Sequence, residues 1–180
     1  GIEKAEFEQK EEDMERAIRL DVMLHAYMFM QSGIPVLYSG DEIGQLNDYH
    51  YKEDADKAPD SRYIHRGPMD WKQAAQLQDT DTVAGMMFQG LKQLEPIRKA
   101  QKVFVSYADT WTVDTRDASV LCIGRYFEGE TLYGIFNFSE TDRTAWLDSV
   151  AGDGTDLITG EKKNLAQIEI PAYGYFYLKK

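Results

Sequence analysis

Three observations predict an α+β fold. Up to about residue 100 the apolar residues recur every three or four positions, as on a helix. Beyond Lys102 they alternate, and β-branched and aromatic residues dominate, as on half-buried strands. Between these stands the punctuated stretch Gly33–Asn47, whose apolar run Ile34 to Tyr38 lacks polar alternation and so reads as a strand covered on both faces. In parallel α/β architectures the polar cluster just past such a strand lies at its carboxyl end, where ligands bind. The division is residues 1–102, helix, strand, long loop and helix, followed by residues 103–180, an antiparallel β-sandwich.

Taken in order, the acidic run Glu6 to Glu15 complements the dipole of an opening helix that continues to about Gln31. Met14, Ile18, Val22, Ala26 and Phe29 keep to one face. Leu20, Leu24, Tyr27 and Met28 add a second toward the carboxyl end, so the later turns are expected to be buried. His25 falls in that apolar half as a satisfied core or interface histidine, and the methionines read as packing. Ser32-Gly33 ends the helix. After the strand come Asp41 and Glu42. Neighbours leaving a strand point to opposite faces, so these two carboxyls do not converge on one bond and are not a catalytic pair. Two roles stay open for them: the rim of a sugar pocket, or accepting backbone N–H groups in the turn.

From Gly44 to about Asp81 no period is visible, and connections beyond about 12–15 residues are usually functional or disordered. Tyr49, Tyr51, Tyr63 and Trp71 oppose disorder. Their faces suit the C–H surface of a sugar ring, and carboxylates with arginine suit its hydroxyls; the plainer alternative packs the rings and solvates the aspartates. Asp54-Ala55-Asp56 lacks the glycine and terminal Glu of an EF-hand. Asp79-Thr80-Asp81-Thr82 offers caps for a helix in which Val83, Met86, Met87, Leu91, Leu94 and Ile97 recur to about Ala100, with Pro96 kinking or shortening it.

Strands are expected at Val103–Tyr107, Thr110–Thr115, Ser119–Phe127, Thr131–Phe138, Thr144–Leu147, Thr155–Leu157 and Ile168–Leu178, with a hairpin turn at Glu128-Gly129-Glu130. Cys122, the single cysteine, reads as a packed thiol; it closes no intramolecular disulfide and leaves the compartment open, leaning slightly to the cytoplasm. Tyr173, Tyr175 and Tyr177 either pack the sandwich or form a sugar platform. No metal cluster, phosphate loop or nucleophile with a base appears in this half, and no cofactor is expected. A formal net charge of −11 opposes nucleic acid and anionic membranes as partners and is compatible with neutral sugars. No apolar run approaches the roughly 20 residues of a membrane span.

The words Gly-Ile-Pro-Val-Leu-Tyr-Ser-Gly-Asp-Glu at 33–42 resemble the eighth barrel strand of the α-amylase superfamily of glycoside hydrolases and transglycosidases. The continuation Ile43-Gly44-Gln45-Leu46-Asn47-Asp48, then Asp60-Ser61-Arg62-Tyr63-Ile64-His65-Arg66, is most similar to the amylosucrase branch, although Gly67-Pro68-Met69-Asp70-Trp71 departs from amylosucrases and puts sucrose as donor in question. The closing phrases Asp156–Glu161 and Ile170–Phe176 resemble domain C of the same superfamily. The resemblance implies the last helix–strand–helix part of a (β/α)8 barrel followed by domain C. A whole barrel typically needs about 250 residues, so a chain of 180 residues that begins at Gly1 without an initiator methionine is expected to be a C-terminal fragment. It implies, too, that the three catalytic carboxylates precede Gly1. Arg66 would reach the closed end of a glucose pocket, joined by Asp41 and Asp60 as substrate-binding residues, with sucrose or an α-glucan as substrate. Apolar faces left by the missing barrel would favour self-association. The competing class is a non-catalytic carbohydrate-binding or interaction module, for which the sandwich is the evidence.

Overall fold

The computed structural model describes residues 1–180. Helix α1 (Ile2–Glu8) and helix α2 (Glu11–Met30) replace the single opening helix, because Gln9 takes a left-handed conformation and closes α1 with its N–H on Ala5 and Glu6 carbonyls. Three acidic residues still open α2, and burial deepens along it, from exposed Glu15 and Arg16 to fully buried Met23, Ala26 and Met30. Helices α3 (Trp71–Ala74), α4 (Val83–Lys92) and α5 (Leu94–Ala100) follow. The break between the last two sits at Gln93. Pro96 explains it, since a proline ring collides with the carbonyl four residues earlier and cannot donate to it. Thr82 caps α4, accepting the Gly85 N–H at 3.1 Å.

Contact density divides the chain into two compact units: Gly1–Ile18 with Val36–Gln89, and Arg19–Pro35 with Gly90–Lys180. The second unit is built on a six-stranded antiparallel sheet in the order β1 (Asp109–Val113), β2 (Val120–Phe127), β3 (Glu130–Asn137), β8 (Tyr175–Lys179), β5 (Asp153–Asp156), β6 (Lys162–Asn164). A two-stranded sheet, β4 (Arg143–Trp146) with β7 (Gln167–Ile170), packs on one face. Val113, Cys122, Ile135 and Leu178 from the large sheet meet Ala145, Ile168 and Ile170 from the small one in a common core. The later turns of α2 cover the other face: the Tyr177 hydroxyl donates to the Ala26 carbonyl at 2.5 Å, and Tyr27 meets Phe136 edge-on at 5.6 Å. The sandwich is therefore lopsided, with an antiparallel majority sheet.

Three sequence expectations change here. Val103–Tyr107 is a 3₁₀ turn over Lys102–Phe104, not a strand. Ile168–Leu178 is two strands separated at Pro171–Gly174, because proline cannot donate to a ladder. The run Ile34–Tyr38 forms no strand and joins neither sheet, and Ile34 is 91% and Val36 73% exposed. A buried strand needs flanking strands to satisfy its N–H and C=O groups, and this chain places none beside it. The hairpin β2–β3 turns on Glu128 and Gly129, both at positive φ, the backbone a two-residue I′ turn demands. Cys122 is fully buried, and burial pushes its thiol up to about 12, as a packed thiol requires. Tyr177 is buried and meets Tyr175 edge-on at 6.0 Å, so these rings pack the sandwich. No helix is long and apolar enough to cross a membrane.

Two arginines hold the end of α2. Arg125 in β2, fully buried, donates to the carbonyls of Val103, Met30 and Val105 and to Ser32 Oγ. Arg98 in α5 donates to the carbonyls of Phe29, Gln31 and Gly33. Phe104 lies under both guanidinium groups, at 4.9 Å from Arg98 and 5.6 Å from Arg125. Cations satisfy the last carbonyls of a helix and oppose its dipole, which makes this pair a C-cap of unusual strength.

Candidate functional site

The first unit carries a cleft of about 440 Å³ lined by residues from two arms of the chain: Tyr38 to Asp41 with Gln45 to Asn47, and Arg62 with His65 and Arg66. The first arm turns sharply after Ile34–Tyr38. Gly40 sits at φ 106° and Gly44 at φ 66°, a left-handed geometry that favours glycine. At Gly44 a Cβ would press on Val83 and Met87 of α4, so the backbone there lies directly on that helix. Asp41 Oδ2 accepts the Tyr38 N–H at 3.0 Å and Glu42 Oε2 accepts the Gly40 N–H at 2.9 Å. Both carboxylates thus stabilise the turn by taking its backbone donors, and Asp41 lines the cleft as well.

The second arm is fastened to the first. The Asp48 N–H donates to the Ile64 carbonyl at 2.8 Å, and the Gln45 amide donates to the Pro68 carbonyl while accepting the Asp70 N–H. A Cβ on Gly67 would fall 2.8 Å from Asp48 Cβ, so only glycine permits this approach. Arg66 lines the same cleft as Gln45–Asn47. It is exposed, it stacks over Tyr63 at 5.6 Å, and it makes no ion pair.

The aspartates of the long loop act mainly as caps. Asp48, Asp60 and Asp70 each precede a short helical turn and accept its first free N–H groups. Asp60 also grips Arg62, with Arg62 Nε at 2.8 Å and Nη2 at 2.7 Å. The Arg62 side chain, then its backbone N–H, hold the Asp60 carboxyl down at about 2, with a smaller pull from Arg66. Asp60 is thus not among the lining residues but grips Arg62, which is, while Arg66 and Asp41 line the cleft themselves. Arg62, although paired with Asp60, lines the cleft as well. Sequence reading assigned no role of their own to Tyr38, Ser39 or His65, although all three lie within the quoted phrases.

The aromatic subsite expected from Tyr49, Tyr51, Tyr63 and Trp71 does not assemble. Tyr51 is buried, Tyr63 supports Arg66, and Trp71, 77% exposed, lies outside the lining, which draws its aromatic ring from Tyr38 instead. No cluster of metal-ligating side chains is present. What the cleft offers is guanidinium and amide donors, one carboxylate and one phenol ring, a set suited to a polyhydroxylated neutral ligand.

No family model matches the sequence. Among curated proteins, the glucosylglycerate phosphorylase of Escherichia coli (strain K12) is 29% identical over 149 residues, which are 82% of this chain and 25% of that protein. Among solved structures, trehalulose synthase MutB from Pseudomonas mesoacidophila MX-45 superposes with a TM-score of 0.68 at 17% identity, covering 89% of this chain and 38% of that one. The maltogenic amylase from S. marinus does so with a TM-score of 0.62 at 21% identity, covering 89% and 19%. A variant of MutB was solved in complex with the substrate sucrose. The likeness to the solved structures is one of fold. The chain spans about a quarter of the length of the curated protein it matches.

Proposed function

We propose that this chain is the C-terminal part of a retaining α-glucoside hydrolase or transglycosidase of the amylosucrase-like branch. Residues 1–102 then supply the end of the (β/α)8 barrel, and residues 103–180 its domain C. In this reading Ile34–Tyr38 is the eighth barrel strand, and the nucleophilic and acid/base carboxylates are contributed by the rest of the parent. The observation that carries the proposal is that a run of exposed apolar residues, outside either sheet, leads straight into a cleft of hydrogen-bonding side chains at its carboxyl end. Such a run is costly in water, and flanking strands would cover it. The same surface gives the isolated chain a route to self-association.

Arg66 binds hydroxyls at the closed end of the glucose pocket. Its guanidinium stays charged, donates in a fixed fork, and is held by Tyr63 rather than by an acid, so its donors remain available to a ligand. Asp41 contributes an acceptor from the opposite arm, and Asp60 acts by pinning Arg62. The donor is sucrose or an α-glucan. The experiment has two arms. The 180-residue chain incubated with sucrose, maltose and a nitrophenyl glucoside releases no glucose above blank; release would overturn the division of labour. In the full-length parent, Arg66→Ala lowers kcat/KM by 100-fold or more with little change in melting temperature, on the order of 3 kcal/mol of transition-state binding. An unchanged rate would remove Arg66 from the pocket.

A further inference from the structure

The six-stranded sheet is wider than the two-stranded sheet that covers it, and part of the remainder is aromatic. Strand pairing sets three rows on the covered face: Val113, Cys122 and Ile135; then Trp111, Gly124 and Tyr133; then Asp109, Tyr126 and Thr131. The first row lies in the core beneath the small sheet. Beyond it, Trp111 is 38% and Tyr126 43% exposed.

Trp111 lies flat on its neighbour. A Cβ built on Gly124 would meet Cε2 at 2.3 Å, nearer than Nε1 or Cζ2 on either side. Cε2 is a ring-fusion atom set back from the indole rim, so an approach in which it comes nearest is an approach to the ring face. Tyr133 then abuts the indole perpendicularly, at 6.3 Å between centroids and 89° between planes. One indole face is thus spent on Gly124, the ring abuts Tyr133, and 38% of the residue remains exposed. Tyr126 stands diagonally across the strand pair, where neighbours are about 7–8 Å apart.

We propose that Trp111 and Tyr126 form a sugar-binding platform on the sandwich, separate from the cleft, for a linear α-glucan. Exposed aromatic platforms take either nucleobases or sugar rings, and charge decides between them. Base-stacking platforms sit in cationic grooves, whereas this one has Asp109 at its rim in a chain of net charge −11. A neutral pyranose presents an apolar C–H face to the indole and hydroxyls to Asp109, Thr131 and the Tyr126 phenol. Glycine at 124 is what lets the indole lie down.

The test is affinity electrophoresis of the 180-residue chain in gels with and without soluble amylopectin, with maltoheptaose as competitor and a single-stranded RNA oligonucleotide as the charged control. The chain is expected to be retarded by amylopectin, released by maltoheptaose, and indifferent to RNA. Trp111→Ala should weaken retention at least tenfold, as should Tyr126→Ser, whose exposed ring can be removed with little effect on the melt. Trp71→Ala, which removes an exposed ring outside both the platform and the cleft, should retain wild-type retardation. Absence of retardation, binding of RNA instead, or undiminished retention in Tyr126→Ser together with Trp111→Ala would overturn it. If Trp111→Ala melts early, Tyr126→Ser alone decides: tenfold loss supports the platform, and wild-type retention refutes it.

Discussion

Truncating Arg125 to alanine tests the physical account of the second unit most sharply. Its side chain is fully buried and donates four hydrogen bonds, to Val103 O at 2.7 Å, Met30 O at 3.2 Å, Val105 O at 3.2 Å and Ser32 Oγ at 3.1 Å. No carboxylate is among the acceptors. The usual argument that a buried ion pair can be exchanged for apolar residues therefore fails here, because three acceptors are backbone carbonyls that no substitution at 125 removes. Each acceptor left without a donor costs about 1–3 kcal/mol, and Met30 O belongs to the orphan carbonyls at the end of α2. The void adds on the order of 2–5 kcal/mol. Relief from burying a guanidinium offsets several kcal/mol of this, consistent with the downward shift that burial, then Arg98, imposes on its pKa. The net expectation is a loss of about 3–5 kcal/mol, roughly 6–20 °C in melting temperature for a chain of this size. Arg125→Met, which keeps volume without donors, should lose about 2–3 kcal/mol, the hydrogen-bond part alone. Urea unfolding followed by tryptophan emission reads the correct unit, since Trp111 and Trp146 are partly buried there while Trp71 is 77% exposed already. A methionine variant as stable as wild type would refute the reasoning, because the hydrogen bonds would then contribute nothing net.

Two further outcomes follow from burial and close approach. Burial raises the Cys122 thiol from 9.0 to about 12, so its neutral form stabilises the fold fully below pH 9 and that stabilisation is lost as pH rises toward 12. Between pH 8 and pH 10.5 the wild type should therefore lose roughly 2 kcal/mol more than Cys122→Ala, at about 1.4 kcal/mol per pH unit once the unfolded thiol ionises; parallel urea midpoints at the two pH values would contradict this. Gly85 in the first turn of α4 would place a Cβ 1.8 Å from the Asp79 carbonyl oxygen. Gly85→Ala should accordingly destabilise the first unit by about 1–3 kcal/mol, seen as faster proteolysis near Gln78–Asp81, whereas helix propensity alone predicts a gain of about 1 kcal/mol.

Part of the site was legible because it is local: the glycines at 40 and 44 and the carboxylates that take the turn's backbone N–H groups lie within a few residues of one another. The caps at Asp48, Asp60 and Asp70 and the clasp of Asp60 on Arg62 are just as local, yet this stretch reads in sequence as a loop without a period and Asp60 as a substrate-binding residue. Which faces the cleft was not legible. Asp60 and Arg66 sit in one motif, yet Asp60 clasps Arg62 and is absent from the lining while Arg66 lines the cleft together with Gln45–Asn47, where Gly67 lets the second arm close on Asp48. The aromatic residues of the loop misled for the same reason: composition supplies rings, and only packing decides whether they bury, like Tyr51, or project, like Trp71.

By itself the sequence determined the change from helical to strand period, the deepening burial along α2, the cap at Thr82, the hairpin at Glu128-Gly129 and the packed thiol at Cys122. Each of these depends on periodicity or on neighbours close in the chain. Tertiary structure decided the rest: that Ile34–Tyr38 joins neither sheet, that Ile168–Leu178 becomes two strands in different sheets, that Arg125 is swallowed whole against helix carbonyls, and that Trp111 lies over Gly124. These depend on partners tens of residues away. A strand's hydrogen bonds, a buried cation's acceptors and an indole's resting surface are all supplied from outside the segment that needs them.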